Sequence, residues 1–210
     1  MSDFQKILSA DLPRYLQDLQ SLVNIDCETR SKPGVDRAAA YLRERFREFG
    51  AQVQEFPQEK YGDMFYARWQ GKGKSRIVLL GHSDTVYPDG TVAQFPFRRD
   101  GSRAFGPGVI DMKSGLLLGL YALRALVQSG FENFGEIGLF CNSEEEIGSP
   151  VSHDLYPTFV RGANAALVLE PARGDVSEID RGDCGRKLEI DATHALISPL
   201  RTLSALRKNF

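Results

Sequence analysis

Cysteine is scarce in this 210-residue chain, and the three present, Cys27, Cys141 and Cys184, stand far apart with no C-x-x-C pair. That excludes a disulfide-built scaffold and a thiolate metal site, and it fits the reduced thiols of a cytoplasmic protein. An excess of one charge is lacking too: 26 Lys and Arg against 28 Asp and Glu leave a net charge of −2, so there is no basic footprint for a nucleic acid. The longest uncharged run, residues 114–123, has ten residues; a membrane span needs about 20. Asp3, Lys6, Asp11, Arg14, Asp18 and Asp26 punctuate the opening of the chain, so no signal peptide is expected. Internal repeats, low-complexity tracts and Pro/Ser-rich linkers are also missing. What remains is 42% hydrophobic and 26% charged residues, an ordinary globular balance. The expectation is a soluble cytoplasmic protein with neither a nucleic acid nor a membrane as partner.

Hydrophobic spacing supplies the elements. Leu8, Leu12, Tyr15, Leu16, Leu19, Leu22 and Val23 recur at helical spacing, with Pro13 suited to a first turn behind Asp11. A second helix is predicted from about Asp36, with Ala39, Leu42, Phe46 and Phe49 on one stripe and Gly50 as its stop. Strands are predicted at residues 51–56 and 64–69, and at 76–81 (RIVLLG), whose unbroken apolar run marks burial on both faces. Residues 97–106 read as a hairpin closed at Asp100-Gly101. Residues 112–127 are apolar nearly all round and predict a buried helix. Two further apolar strands follow at 135–141 (GEIGLFC) and 165–169 (AALVL), separated by a helical or irregular link. Strands alternating with helices indicate an α/β fold with parallel members. Beyond Pro171 the pattern fades: residues 188–191 could start one strand, and residues 196–210 are basic and weakly helical.

The chemistry follows the strands. After RIVLLG comes His82-Ser83-Asp84, after GLFC comes Asn142-Ser143-Glu144-Glu145-Glu146, and after AALVL comes Glu170-Pro171; Asp111 stands behind the turn Gly106-Pro107-Gly108. Open α/β sheets put their functional crevice at the carboxyl ends of their strands, so these groups are expected at one edge. Each has an ordinary alternative: a surface His-Asp pair, a solvated acidic helix start, a turn, a helix N-cap at Asp111. All four would have to hold together at that edge. Gathering Asp84, Asp111, Glu145, Glu146 and Glu170 sets each close pair of charges against the other by about 4 kcal/mol at about 4 Å and an effective dielectric near 20. Lys113 is the only adjacent cation. One or two divalent ions would remove the repulsion, and imidazole with carboxylates suits Zn, Mn or Co. A bridging carboxylate lets two ions share a water, and a carboxylate left off the metal can take that water's proton, a site able to hydrolyse an amide.

Four runs carry a resemblance: GHSDTVYPDG (residues 81–90), FGPGVIDMKSG (105–115), NSEEEIGS (142–149) and LVLEP (167–171). In this order they closely resemble the M20 metallopeptidase family, and the HSDTV-YPDG form is most similar to its glutamate carboxypeptidase branch, of the carboxypeptidase G2 type. The resemblance implies a phosphorylase/hydrolase-like α/β catalytic domain with a mostly parallel sheet, an inserted lid domain that forms a homodimer, and a dizinc centre. It also implies a substrate with an amide next to a free carboxylate, a small peptide ending in glutamate or an N-acyl amino acid. His82 and Glu170 would hold one zinc, Asp111 would bridge both, and Glu146 would bind the second. Glu145 would be the general base, and Asp84 would stand behind His82 and fix its tautomer; Glu144 receives no ligand role.

The resemblance covers the chain from its first helix to about Arg173. Residues 1–175 read as the N-terminal part of the catalytic domain, and 176–210 as a divergent tail or an aborted start of the lid domain. The family's last zinc-binding histidine has no counterpart: His153 reads as an exposed loop residue, and Ala192-Thr193-His194-Ala195 only echoes a lid segment. One zinc position then keeps three ligands, His82, Asp111 and Glu170. The other keeps Asp111 and Glu146, one fewer than usual. The alternative to an active hydrolase is therefore a truncated, non-catalytic homologue holding at most one metal. Strands normally supplied after the lid would be missing, leaving apolar surface on RIVLLG and its neighbours exposed.

Overall fold

The structure, a computed structural model, describes residues 3–171. The expected strand start at 188–191, the helical tail at 196–210, Cys184, His194 and the whole of segment 176–210 lie outside the described residues.

Helices α1 (Asp3–Val23) and α2 (Lys32–Glu48) lead into strands β1 (Gln52–Phe56), β2 (Met64–Gln70) and β3 (Arg76–His82). A short helix α3 (Thr91–Gln94) and a hairpin of β4 (Arg98–Asp100) and β5 (Arg103–Phe105) follow, then α4 (Ser114–Gln128), β6 (Glu136–Asn142), α5 (Tyr156–Val160) and β7 (Ala165–Val168). The main sheet has the order β1-β2-β6-β3-β7. Strand β6 pairs parallel with β3, β3 parallel with β7, and β2 antiparallel with both β1 and β6. Four of the five strands thus run one way and only β2 is reversed, which is the mostly parallel α/β sheet expected.

Alternation along the strands sorts the core into two layers. Phe65, Ala67, Trp69, Leu79, Ile137 and Leu139 face α1, α2 and α4, where they meet Leu22, Leu42, Phe46, Leu116 and Leu120. Met64, Tyr66, Val78 and Phe140 face the other way, under Phe159 of α5. The period of two along β2 and β6 is what divides these residues between layers.

Several boundaries depart from the expectation. Helix α1 runs through Pro13 rather than starting there. A proline inside a helix loses one hydrogen bond and costs about 3 kcal/mol. Tertiary ties hold the front turns in place: Asp11 accepts from Arg124 Nε at 2.8 Å, and Arg14 pairs with Glu48. Leu12, assigned to the buried stripe, is exposed. Helix α2 begins earlier than Asp36, behind Ser31, with Pro33 in its first turn. The hairpin closes one residue later, with Asp100 opposite Arg103. Helix α4 starts at Ser114 and is covered on one side only, leaving Leu118 and Val127 exposed. The RIVLLG strand is paired on both sides, and β7 takes the outer position.

Candidate metal centre

Three parallel strands end at the same edge. His82 is the last residue of β3 and sits in register with Asn142, the last of β6; Leu80 pairs with Val168, so β7 delivers Glu170 two residues later. His82 is buried, and its backbone N–H donates to Met112 Sδ at 3.1 Å, which ties the end of β3 to the turn that carries Asp111. Its Nε2 lies 3.2 Å from Asp111 Oδ1 and 3.1 Å from Glu170 Oε1. Its Nδ1 faces the Asp84 carbonyl oxygen at 3.0 Å and Asp84 Oδ1 at 3.1 Å.

Asp111 is not a helix cap. It sits in the turn Val109–Lys113 with an extended backbone (φ −117°, ψ 100°), and helix α4 has no side-chain cap. Gly108 makes that turn possible: its φ is +67°, and a Cβ there would meet Thr85 Cγ2 at 2.6 Å. Lys113, the one adjacent cation in the sequence, turns away from the acids. Its buried ammonium donates to the carbonyls of Ile25 at 2.8 Å and Val23 at 3.4 Å, at the end of α1.

The three glutamates after β6 separate into different roles. Glu144 is buried and accepts the N–H groups of Ser152 at 2.7 Å and Val151 at 3.3 Å, so it ties down the following loop. Glu145 and Glu146 open a 3₁₀ turn, and their backbone N–H groups point to Asp84 Oδ1 at 3.2 Å and Oδ2 at 3.3 Å. Two sets of ligand atoms each gather within 4.8 Å: one from His82, Glu145 and Glu170, the other from His82, Asp111 and Glu146. All six site residues picked from the sequence therefore meet in one place, with Glu145 beside His82 and Glu170. His153 is exposed on a separate turn, so His82 is the only imidazole at this edge among the described residues.

The electrostatics are those of an anionic cluster around one ring. Burial works to lower the His82 pKa, but hydrogen bonds to Asp111, Asp84 and Glu170 outweigh it and hold the ring well above its ordinary value. Burial would raise the Asp84 carboxyl; contact with His82 and hydrogen bonds from Thr29 and the Glu146 N–H bring it below the usual range. Glu146 is pushed up to about 7, first by burial and then by the charges of Asp111, Asp84 and Glu145. A divalent cation would displace the proton from His82 and bring Glu146 back to its ionised form.

The donor set fits such an ion. Bonds of about 2.0–2.1 Å at tetrahedral angles separate donor atoms by roughly 3.3 Å, close to the 3.1 and 3.2 Å from His82 Nε2 to the two carboxylates. The side chains of Asp111 and Glu170 are 50% and 22% exposed against 1% for His82, so the cluster opens to solvent on the carboxylate side.

Sequence reasoning passed over Thr29 and Met112. Thr29, buried between α1 and α2, donates its hydroxyl to Asp84 Oδ2 at 2.7 Å. Nothing in the pattern around it marks it. Met112 opens the apolar run that predicts a helix over 112–127, and such a run offers no sign that its sulfur meets the His82 backbone.

Comparison with known proteins agrees with the fold. Carboxypeptidase G2 of Pseudomonas sp. is 31% identical over 175 residues, 82% of this chain and 42% of its own length. A putative succinyl-diaminopimelate desuccinylase of Mycobacterium tuberculosis is 29% identical over 182 residues, 83% of this chain and 47% of its own. The crystallised di-peptidase Dug1p of Saccharomyces cerevisiae superposes with a TM-score of 0.68 at 17% identity, over 79% of this chain and 40% of its own, a likeness of fold. The chain thus spans less than half the length of these relatives. No helix among the described residues is long and apolar enough to cross a membrane. The profile of peptidase family M20/M25/M40 matches residues 78–198, more than half of the sequence and all of the strand ends that carry the acids, and the chain belongs to that family.

Proposed function

We propose that this chain carries the metal-holding part of a zinc-dependent hydrolase that cleaves an amide bond next to a free carboxylate. The observation that carries the reading is the meeting of His82, Asp111, Glu146 and Glu170 at one sheet edge, with Glu145 beside them. Relatives named as a carboxypeptidase and a desuccinylase support the substrate class, a small peptide or an N-acyl amino acid. His82, Asp111 and Glu170 would hold one zinc, and Asp111 with Glu146 would face a second; Co or Mn would suit the same donors. A bound ion of this kind supplies a Lewis acid for the scissile carbonyl and lowers the pKa of water.

The chain's own groups do the rest. Asp84 accepts from His82 Nδ1–H, which turns the lone pair of Nε2 toward the acids. Glu145 accepts a proton from the attacking water as its oxygen bonds to the carbonyl carbon. It then returns that proton to the amine nitrogen as the C–N bond breaks, which regenerates the Glu145 carboxylate and leaves a carboxylic acid and an amine. Asp84 also holds the N–H of Glu145, which sets the base at a fixed distance from the ring.

A second reading is a chain that holds one ion and turns over nothing. It is favoured by one feature: both ligand sets draw on the same imidazole, His82. The two readings separate in one experiment on the purified 210-residue chain. Zinc is titrated against a chromophoric chelator, and hydrolysis of N-acyl glutamates and of dipeptides ending in glutamate is followed by chromatography. The expected result is one tightly held zinc per chain, lost in His82→Ala. If turnover occurs, Glu145→Gln lowers it by about 10²–10⁴-fold and leaves the zinc in place. Zinc binding without turnover selects the second reading, and zinc binding untouched by His82→Ala refutes both.

A further inference from the structure

The segment between α1 and α2 supplies no ligand atom to either set gathered at the sheet edge, yet it holds the loops that do. Thr85 N–H donates to the Cys27 carbonyl at 2.9 Å, and Thr29 N–H donates to the Thr85 carbonyl at 3.2 Å, so the segment runs beside the loop leaving β3. The Asp26 carboxylate accepts the N–H groups of Gly90 at 2.8 Å and Val92 at 3.0 Å, where that loop enters α3. The Ile25 carbonyl accepts from Lys113 Nζ, two residues past Asp111. Only one side chain of this strap reaches the carboxylate that orients His82, and it is Thr29.

Asp84 is held by four donors. On Oδ1 they are His82 Nδ1 at 3.1 Å and Glu145 N at 3.2 Å; on Oδ2 they are Thr29 Oγ1 at 2.7 Å and Glu146 N at 3.3 Å. Three of the four belong to the ligand-bearing loops themselves and would move with them. The Thr29 hydroxyl alone comes from outside, is buried, and makes the shortest of the four contacts. Its backbone N–H also donates to the carbonyl of Thr85, the neighbour of Asp84, so backbone and hydroxyl together fix how the carboxylate sits against the strap.

We propose that Thr29 is a positioning residue of the metal centre: its hydroxyl fixes the Asp84 carboxylate, and through it both the His82 ring and the Glu145–Glu146 turn. This rests on the metal reading above, and the test keeps the two apart. Zinc affinity is measured on the full 210-residue chain by chelator competition, and the visible absorption of the Co²⁺-loaded chain is recorded beside it. Thr29→Val keeps the shape and removes the hydroxyl. It is expected to weaken zinc binding by about tenfold, the lower end for partners behind a metal ligand, and to alter the Co²⁺ bands. Thr29→Ser restores the hydroxyl and is expected to return both readouts to within about twofold of the parent; Thr29→Ala gives the same contrast with Thr29→Ser should the valine form not fold. Parent-like affinity in Thr29→Val, or a serine form as weak as the valine form, overturns the positioning role. If His82→Ala binds zinc as the parent does, the metal reading itself falls, and this proposal with it.

Discussion

Replacing Asp84 by asparagine is the sharpest probe of the centre, because it changes one oxygen to an amide nitrogen at nearly constant volume. A carboxylate accepts from all four donors around it; an amide offers one accepting oxygen and an NH₂ group that only donates. With nitrogen in the Oδ1 position, the Glu145 N–H faces another donor, although His82 Nδ1 still has the Asp84 carbonyl at 3.0 Å. With nitrogen in the Oδ2 position, the Thr29 hydroxyl can rotate to accept, but the Glu146 N–H is stranded. Either orientation leaves one backbone donor unmet in a part-buried place and removes the charge facing His82 Nδ1. His82 keeps Asp111 and Glu170 as partners, so the expected loss of stability is about 2–4 kcal/mol, below that of a fully broken buried pair. The ring keeps its tautomer but loses one of the three carboxylates around it, and zinc affinity is expected to fall about 10–100-fold. Urea unfolding in a chelator measures the first quantity and chelator competition the second. A stability change within about 0.5 kcal/mol together with unchanged zinc affinity would refute the role given to Asp84.

Two further expectations follow from the same cluster. Gly115, in the first turn of α4, packs against the Leu169 carbonyl, and a Cβ there would overlap it and reach Met112 Cε at 3.3 Å. Gly115→Ala should destabilise the chain by about 1–3 kcal/mol in urea unfolding and weaken zinc binding by shifting Glu170, whereas Gly130→Ala, strained by its φ of +76° but meeting no neighbour, should lower stability and leave zinc affinity unchanged. In the metal-free fold Glu146 is pushed up to about 7 from an ordinary 4.5, so between these values the folded chain holds a proton that the unfolded chain has released. Stability therefore falls as pH rises through about 7. His82 acts in the same sense, its contribution present below its ordinary value and lost as pH passes its raised one. Melting temperatures in chelator should decline from pH 5 to 8 and be restored by zinc; a melting temperature that climbs with pH in chelator would contradict the cluster's charge.

The strands were legible because their signal is local. RIVLLG and the run before Asn142 are unbroken apolar segments ended by polar residues, and such runs mark buried strands whatever surrounds them. The candidate site was legible for a related reason: His82, Glu145, Glu146 and Glu170 follow strand ends and Asp111 stands just ahead of a helix, and like charges crowded there call for a cation. What was not legible depends on partners distant in sequence. Asp18 lies in the apolar stripe of α1 and is buried, because hydroxyls from Tyr41 at 2.8 Å and Tyr121 at 2.7 Å, on two other helices, satisfy it. Leu118 looked interior because a helix apolar on all sides does not say which side will be covered. Thr29 carries no mark at all, since its importance comes from Asp84, far along the chain. The grouping of Glu145 with His82 and Glu170 likewise needed coordinates.

Strands β2 and β3 are joined by residues 71–75 only, a link short enough for a hairpin, yet they never touch; β6, far later in the chain, is wedged between them. The nascent chain thus carries two sticky apolar ribbons whose easiest pairing is the wrong one. Their proper spacer arrives only with residues 136–142, and the Gly71 and Gly73 N–H groups then clasp the carbonyls of Gly135 and Phe134 just ahead of it. Such non-local zippering is slow and open to off-pathway association. Sequence changes that favour a tight turn at 71–75 would accordingly trap the chain in a compact form with His82 and Asn142 held apart.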